Sequence, residues 1–348
     1  MSRPIDNDGI VVVEVPTCPL CGEAGAAIYR AQRDRLFGAR GVWNLRRCPS
    51  CRTFWLDPRP LEGEIGKLYE DYFTHREGTE SRQRLDALRR RIAKRVLPLT
   101  MGYDGNGSGR ALGRVLSWVP PLREMAAGTV LWLPARPARL LDVGSGSGEF
   151  IGWMQEMGWE AVGVEPDPQA ASFARRHFGV SVIDGTLFDA NIPDQSFDAV
   201  TLSHVIEHVT DPVALLRECK RVLKRSGYLV VATPNADSLA RRVFRKDWRG
   251  LEIPRHLFVF SRRALRDVAS RAGLRVLSLR TSTRAATFMS MTSMTLRRRD
   301  ALPGGGPERW AGVPLAGGLA FQAIEGLLTS AGAHLGEELV LVATSPAS

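Results

Sequence analysis

Two pairs of cysteines and one glycine-rich loop are the residues of this sequence best placed to do chemistry. Cys18 and Cys21 in CPLCG, then Cys48 and Cys51 in CPSC, form two CxxC pairs with 26 residues between them. A proline follows the first cysteine of each pair, Pro19 and Pro49, which favours a tight turn. Two such turns can converge four thiolates on one tetrahedral ion at a Zn–S distance of ~2.3 Å. The spacing predicts a structural zinc site, closed to water, whose work is folding and not catalysis. A redox role would need a single pair beside a strand–helix–strand unit, and a disulfide scaffold belongs to small secreted chains. The fifth cysteine, Cys219, falls in a helical pattern and reads as core.

The loop lies in LLDVGSGSGEF at 140–150, where a buried strand ends at Asp142 and Val143, Gly144, Gly146 and Gly148 follow, and a helical pattern opens at Glu149. Glycines let the backbone turn sharply and bring peptide N–H groups against a ligand. A dinucleotide fingerprint would read GxGxxG, but the third glycine comes one residue early and Glu149 takes its place. An acid at the helix start repels a pyrophosphate, so the ligand is expected to be uncharged or cationic at that end. Glu165 closes the next predicted strand, 17 residues beyond Gly148. A carboxylate there can accept both hydroxyls of a ribose.

Histidines supply the remaining candidates. His204-Val-Ile-Glu207-His208 matches the HxxEH zinc-protease motif, yet it follows a strand end and runs into Asp211-Pro212. A protease needs both histidines on a stable helix and a third ligand downstream, which argues against that use. His256 stands in IPRHLFVF at 253–260.

These residues need a scaffold, and from 138 onward predicted strands and helices alternate. Strands are expected at 139–143, 161–165, 180–183, 197–203, 228–233, 275–281 and 338–343. Helices are expected at 149–157, 167–177, 212–223 and 262–272, the last with Ser261 as its N-cap. The pattern predicts an α/β fold, a Rossmann-like parallel sheet covered on both faces, with an amino-terminal zinc-binding module. The module is placed at 1–75, a helical linker at 76–134 and the sheet domain at 135–348. A helical insertion spans about 284–337, with one helix at 315–328. Within the linker, 81–97 reads as a basic amphipathic helix, and 102–109 as a flexible break.

At 348 residues, 44% hydrophobic and 24% charged, the composition is that of a globular protein. The formal charge of +10 favours an anionic partner, whether substrate, nucleic acid or membrane surface. Acids and prolines interrupt the first 17 residues, so no secretion signal is read there and a cytoplasmic location is expected. The apolar region 311–333 is broken by Pro314, Gln322 and Glu325. It fails as a membrane span and could at most lie on an interface.

The DxGxGxG run at 142–148 closely resembles motif I of the class I S-adenosylmethionine-dependent methyltransferases. FDxV with HxxEHVxDP at 197–212, LxECKRVLKRSGYLVVATPN at 216–235 and IPRHLFVF extend the likeness over roughly 138–283. Together they resemble small-molecule and glycan-modifying enzymes related to the quinone-biosynthesis O-methyltransferases. The cysteine pairs with DPRP and LYEDYF resemble members of that branch with an amino-terminal zinc segment, some sugar methyltransferases among them.

The resemblance implies S-adenosylmethionine as cofactor, held by Asp142, Gly144, Gly146, Gly148, Glu165, Pro166, Thr186, Leu187 and Ser203. Asp142 would lie near the amino-acid moiety, with the glycines beneath it. At the adenine the sequence offers Gly185-Thr186 where the family often has Gly-Asp, so backbone contacts are expected there.

The sulfonium methyl is already activated. Alignment therefore supplies much of the rate, and a base is needed only to take an alcohol's proton. His208, His204 and His256 are the candidates, with His208 preferred. Quinone O-methyltransferases also place an acid, Glu and His in this stretch for a divalent ion, but His204 replaces the first acid. The expected acceptor is a sugar, a glycan or a specialised metabolite, and an anionic one suits the charge. Against an RNA methyltransferase stands the absence of an Asn/Asp-Pro-Pro-aromatic motif after the fourth strand. A non-catalytic cofactor binder with a zinc interaction module is the other alternative.

Overall fold

The computed structural model describes residues 3–69, 80–104, 110–134, 138–302 and 315–346. Six short strands open the chain: β1 (Ile5–Asp6), β2 (Val11–Val13), β3 (Ala26–Gln32), β4 (Trp43–Arg47), β5 (Phe54–Asp57) and β6 (Arg59–Pro60). β1, β2 and β6 form one small antiparallel sheet, while β3, β4 and β5 form another. A 3-10 helix, Glu62–Tyr69, follows and buries Leu68. Tyr72 and most of the predicted flexible break at 102–109 lie outside the described residues. Three helices then pack on one another: α1 (Glu80–Thr100), α2 (Arg110–Ser117) and α3 (Pro120–Thr129).

From residue 139 the predicted alternation is present. The elements are β7 (Arg139–Val143), α4 (Glu149–Glu156), β8 (Glu160–Glu165), α5 (Pro168–Phe178), β9 (Ser181–Asp184), β10 (Phe197–Ser203), α6 (Pro212–Val222) and β11 (Leu223–Pro234). There follow α7 (Leu239–Phe244), β12 (Phe258–Val259), α8 (Arg262–Arg271), β13 (Arg275–Ser282), α9 (Ala286–Arg299), α10 (Leu315–Ser330) and β14 (Glu338–Thr344). Local chemistry fixes the helix starts. Asp211 accepts the N–H groups of Val213 and Ala214 at α6, and Ser261 accepts that of Ala264 at α8, as expected of N-caps.

Seven strands make the central sheet, in the order β13-β14-β11-β10-β7-β8-β9. All neighbours are parallel except β14, which runs antiparallel to β11 and β13. This reversal puts the start of β14 at the carboxyl ends of the parallel strands, the end at which open α/β sheets bind ligands.

The amino-terminal module does not stand apart. β12 pairs antiparallel with β5, with Trp55 opposite Phe258 and Phe54 opposite Val259. Trp43, Trp55, Phe258 and Phe260 are fully buried and share one apolar core with Leu141, Val200 and Leu202 of the central sheet. Ion pairs seal the seam. Arg255, with no exposed surface, meets Asp34 at 2.8 Å and donates to the Leu68 carbonyl at 3.1 Å.

Candidate active site and thiolate cluster

The glycine loop leaves β7 at Val143 and is pinned to β8 by Gly144 N–H donating to the Val164 carbonyl at 2.8 Å. Gly148 has φ of 77°, and a Cβ there would sit 2.6 Å from that of Ala174, so the helix start tolerates no side chain. Gly146 differs. Its φ is 52°, and the position of its absent Cβ faces open space with nothing within 4 Å. A ligand can approach that backbone.

Glu165 ends β8, is 7% exposed and braces the loop: its carboxylate accepts from Gly146 N at 2.7 Å and from Asp167 N at 3.0 Å. A carboxylate oxygen can accept more than one donor, so a carboxylate at this place has the chemistry to take hydroxyls as well. Asp142 is buried and accepts from Thr201 Oγ1 at 2.6 Å; burial pushes its carboxyl up to about 7 despite that bond. Pro166 follows Glu165 into the α5 turn. Thr186 is exposed after β9, its backbone N–H donating to Asp189 at 3.2 Å, and Leu187 beside it is buried. Ser203 closes β10, half-buried, with the Arg284 guanidinium 3.4 Å from its hydroxyl.

Directly beyond Ser203 the chain turns through His204, whose φ is 58°, into a 3-10 helix at Ile206–His208. This turn lies against the glycine loop: Val205 Cγ2 is 2.5 Å from where a Gly144 Cβ would stand. His204 sits between two carboxylates, Glu207 at 3.2 Å and Glu338 at 2.7 Å. Burial alone would lower its pKa, but the two acids outweigh it and raise it to about 10. His204 is therefore an imidazolium at neutral pH, a proton donor. Burial would raise Glu207, yet His204 holds it at about 2. Arg284 donates to both oxygens of Glu338, to Oε1, which His204 also meets, at 2.9 Å and to Oε2 at 3.1 Å.

His208 and His256 meet edge to face, ring centroids 4.8 Å apart. His208 Nδ1 lies 3.1 Å from the Arg255 carbonyl and 2.8 Å from the Tyr69 hydroxyl; His256 Nδ1 lies 2.8 Å from the Gly250 carbonyl. Carbonyls only accept, so both rings are assigned the Nδ1–H tautomer, which leaves Nε2 of each as the basic atom. His256 is 3% exposed, and burial lowers its pKa to about 4. His208 is half-buried. Glu207, His208 and His256 each bring one ligating atom within 4.8 Å of the others. In the acid–Glu–His set of the quinone O-methyltransferases, His204 stands where the first acid would be; the third ligating atom beside Glu207 and His208 comes from His256.

The four cysteines converge as their spacing predicts. Cys18 and Cys51 sulfurs are 3.6 Å apart and those of Cys21 and Cys48 3.4 Å, with all four within 4.8 Å. A tetrahedron with Zn–S bonds of ~2.3 Å has edges of ~3.8 Å. The cluster fits such an ion. None of the five cysteines is in a disulfide, and Cys219 is buried in the core.

Three participants escaped the sequence reading. Glu338 reaches the carboxyl end only because β14 is antiparallel, Arg284 follows the carboxyl end of β13, and Tyr69 arrives from the amino-terminal module. The signal available was the acid pair Glu337-Glu338 opening the last strand.

Comparison with known proteins fits this geometry. Residues 118–279 match the family profile described as "Methyltransferase domain". A ubiquinone biosynthesis O-methyltransferase of Cereibacter sphaeroides is 31% identical over 153 residues, 41% of this chain and 62% of the relative. One from Xanthomonas oryzae is 36% identical over 104 residues, 28% of this chain and 44% of the relative. A probable S-adenosylmethionine-dependent methyltransferase of Mycobacterium tuberculosis is 36% identical over 97 residues, 28% of this chain and 35% of the relative. This chain thus spans less than two thirds of the length of these relatives. Among solved structures, a Thermotoga maritima S-adenosylmethionine-dependent methyltransferase, described as a possible histamine N-methyltransferase, shares 24% identity at a TM-score of 0.41. That match covers 63% of this chain and 88% of the other. The strand–glycine loop–helix unit, the carboxylate at the end of β8 and the family profile agree: over residues 118–279 the chain is a class I S-adenosylmethionine-dependent methyltransferase domain.

Proposed function

We propose that the protein transfers the methyl group of S-adenosylmethionine to a hydroxyl of a small molecule, with a sugar, glycan or specialised metabolite as the acceptor class. The observation that supports this reading is the contact of the His204–His208 turn with the glycine loop through Val205, which would put the candidate base close to a cofactor bound over that loop. The named O-methyltransferase relatives support the reaction class. Asp142, the loop glycines and Glu165 would hold the cofactor, with Pro166, Thr186, Leu187 and Ser203 along its nucleoside side. The activated methyl comes with the cofactor, and the chain supplies alignment and removal of one proton.

Of the three histidines, His208 suits the base. His204 is already protonated between its acids, and His256 is enclosed. Tyr69 and the Arg255 carbonyl orient the His208 ring and leave Nε2 free to accept. The thiolate cluster would hold zinc, fixing the module that delivers Tyr69. Transfer of labelled methyl from S-adenosylmethionine to a panel of hydroxylated acceptors tests the proposal. With an accepted substrate, His208→Ala should lower kcat by ~10²–10⁴-fold while S-adenosylhomocysteine affinity, read by calorimetry, stays unchanged. Cofactor binding with no transfer to any acceptor would favour a non-catalytic binder, and full turnover by the variant would remove His208 from the role.

A further inference from the structure

One helix beside the site is built inside out. The side chains of α10 that face the protein include polar ones: Gln322 bonds to the Thr287 hydroxyl and to the Thr283 carbonyl at 3.0 Å, and Glu325 accepts the Glu337 N–H at 2.6 Å. Glu325 is fully buried. The outward face carries Leu315, Leu319, Ile324, Leu327 and Leu328, which are 59, 52, 54, 73 and 36% exposed. Three exposed alanines, at 316, 320 and 323, fill the places between them. No polar side chain interrupts this stripe from 315 to 328. A water-facing helix normally has the opposite arrangement. So continuous an apolar surface marks a face that something covers.

Charge borders the stripe. Phe244 of α7 packs against Phe321 of α10 with ring centroids 5.7 Å apart. Exposed cations follow from the same neighbours: Arg242, Arg245 and Lys246 around the end of α7, and the arginines at 297–299 closing α9. A second apolar outcrop lies on α2, where Leu112 and Val115 and then Trp118 are 48, 66 and 86% exposed, next to Arg114. α2 packs on α3, which is tied to the start of α9 by Arg284 and the Gly128 carbonyl at 3.5 Å. Among the described residues no helix is long and apolar enough to cross a membrane.

We propose that α10 docks on an anionic membrane surface, its apolar face in the lipid interface and the basic border of α7 and α9 against the headgroups. A protein interface carries roughly one hydrogen bond per 100–200 Å², and the stripe from 315 to 328 has no exposed polar side chain to make one. An interfacial helix asks for the combination present here: an apolar face of exposed leucines and flanking cations. The formal charge of +10 adds long-range attraction to such a surface.

Co-sedimentation of the full chain with phosphatidylcholine vesicles, with and without about a third phosphatidylglycerol, tests this. Binding is expected to the anionic vesicles only and should weaken as salt rises. L319S/I324S/L327S, all at exposed positions, should reduce partitioning by roughly tenfold or more. R242E/K246E, at exposed positions, should reduce it several-fold. Calorimetry with S-adenosylhomocysteine on the same samples reports an intact fold and separates this proposal from the catalytic one. Failure to bind anionic vesicles, or binding unchanged in the triple variant, would overturn it. So would light scattering that shows a dimer, split by the triple variant, with vesicles ignored; the stripe would then be a contact between copies.

Discussion

Replacing Glu165 separates a residue that binds cofactor from one that merely braces a loop. Its carboxylate accepts two backbone N–H groups, from Gly146 and Asp167, at 2.7 and 3.0 Å. Glu165→Ala leaves both without that acceptor beside an open cleft where water can replace part of the loss. We expect a stability cost of ~1–2 kcal/mol, the lower end of the range for unsatisfied donors, or roughly 2–8 °C in melting temperature. The cofactor loses more. Hydrogen bonds from ribose hydroxyls to a charged acceptor are worth ~1.5–3 kcal/mol, so S-adenosylhomocysteine affinity should fall roughly ten- to a hundredfold. Glu165→Gln can accept from one N–H while presenting its own amide to the other, and should fall between the two in both measurements. Differential scanning fluorimetry without ligand and calorimetry with it give the two numbers independently. A lower melting temperature in Glu165→Ala at unchanged affinity would reduce Glu165 to a loop brace and move the ribose site elsewhere.

Elemental analysis of the purified chain should find one zinc held by Cys18, Cys21, Cys48 and Cys51, and Cys21→Ser should lower that stoichiometry and the melting temperature together. Metal-free wild type with native stability would reject the assignment. A second expectation concerns pH. Burial raises the carboxyls of Glu325 and Glu337, to about 9 and about 8, and each also feels a neighbouring acid. The folded state therefore keeps protons that the unfolded chain releases above about 4.5. Their stabilising contribution is complete below that pH and is lost as pH climbs toward 9. Glu325→Gln, which keeps the acceptor for the Glu337 N–H, should flatten the fall in melting temperature between pH 5 and 9; an unchanged slope would refute the shift.

Strong periodicity made the central sheet legible. The predicted strands at 139–143 and 197–203 coincide with β7 and β10, because continuous apolar runs bounded by Gly, Asp and Ser leave little choice of boundary. β11 begins earlier than its predicted start at 228 because Leu223 pairs with Phe197, but Lys224, Arg225 and Ser226 have no partner in β10: the register shifts there and the ladder resumes at Tyr228. Long-range placement was not legible. Phe258 and Val259 read as part of a motif, and nothing near them in sequence announces that they complete a sheet begun by Phe54 and Trp55. The antiparallel direction of β14 was equally hidden, and with it the arrival of Glu338 beside His204. The outward leucines of α10 carry a helical signal without saying which face is buried.

The β5–β12 pairing has a consequence for how the chain is made. Ser261 donates to the Cys51 carbonyl across 210 residues of sequence. At a synthesis rate of roughly 5–20 residues per second, the amino-terminal sheet waits on the order of 10–40 s for its last strand. Throughout that interval the hydrogen-bonding edge of β5, rich in Phe54, Trp55 and Leu56, is open to pairing with any other extended chain. The thiolate cluster needs no residue beyond Cys51, so an ion bound there would order the first fifty residues before the edge is covered. An early ion would then act as a placeholder during birth, holding the nascent module in shape until its partner strand leaves the ribosome.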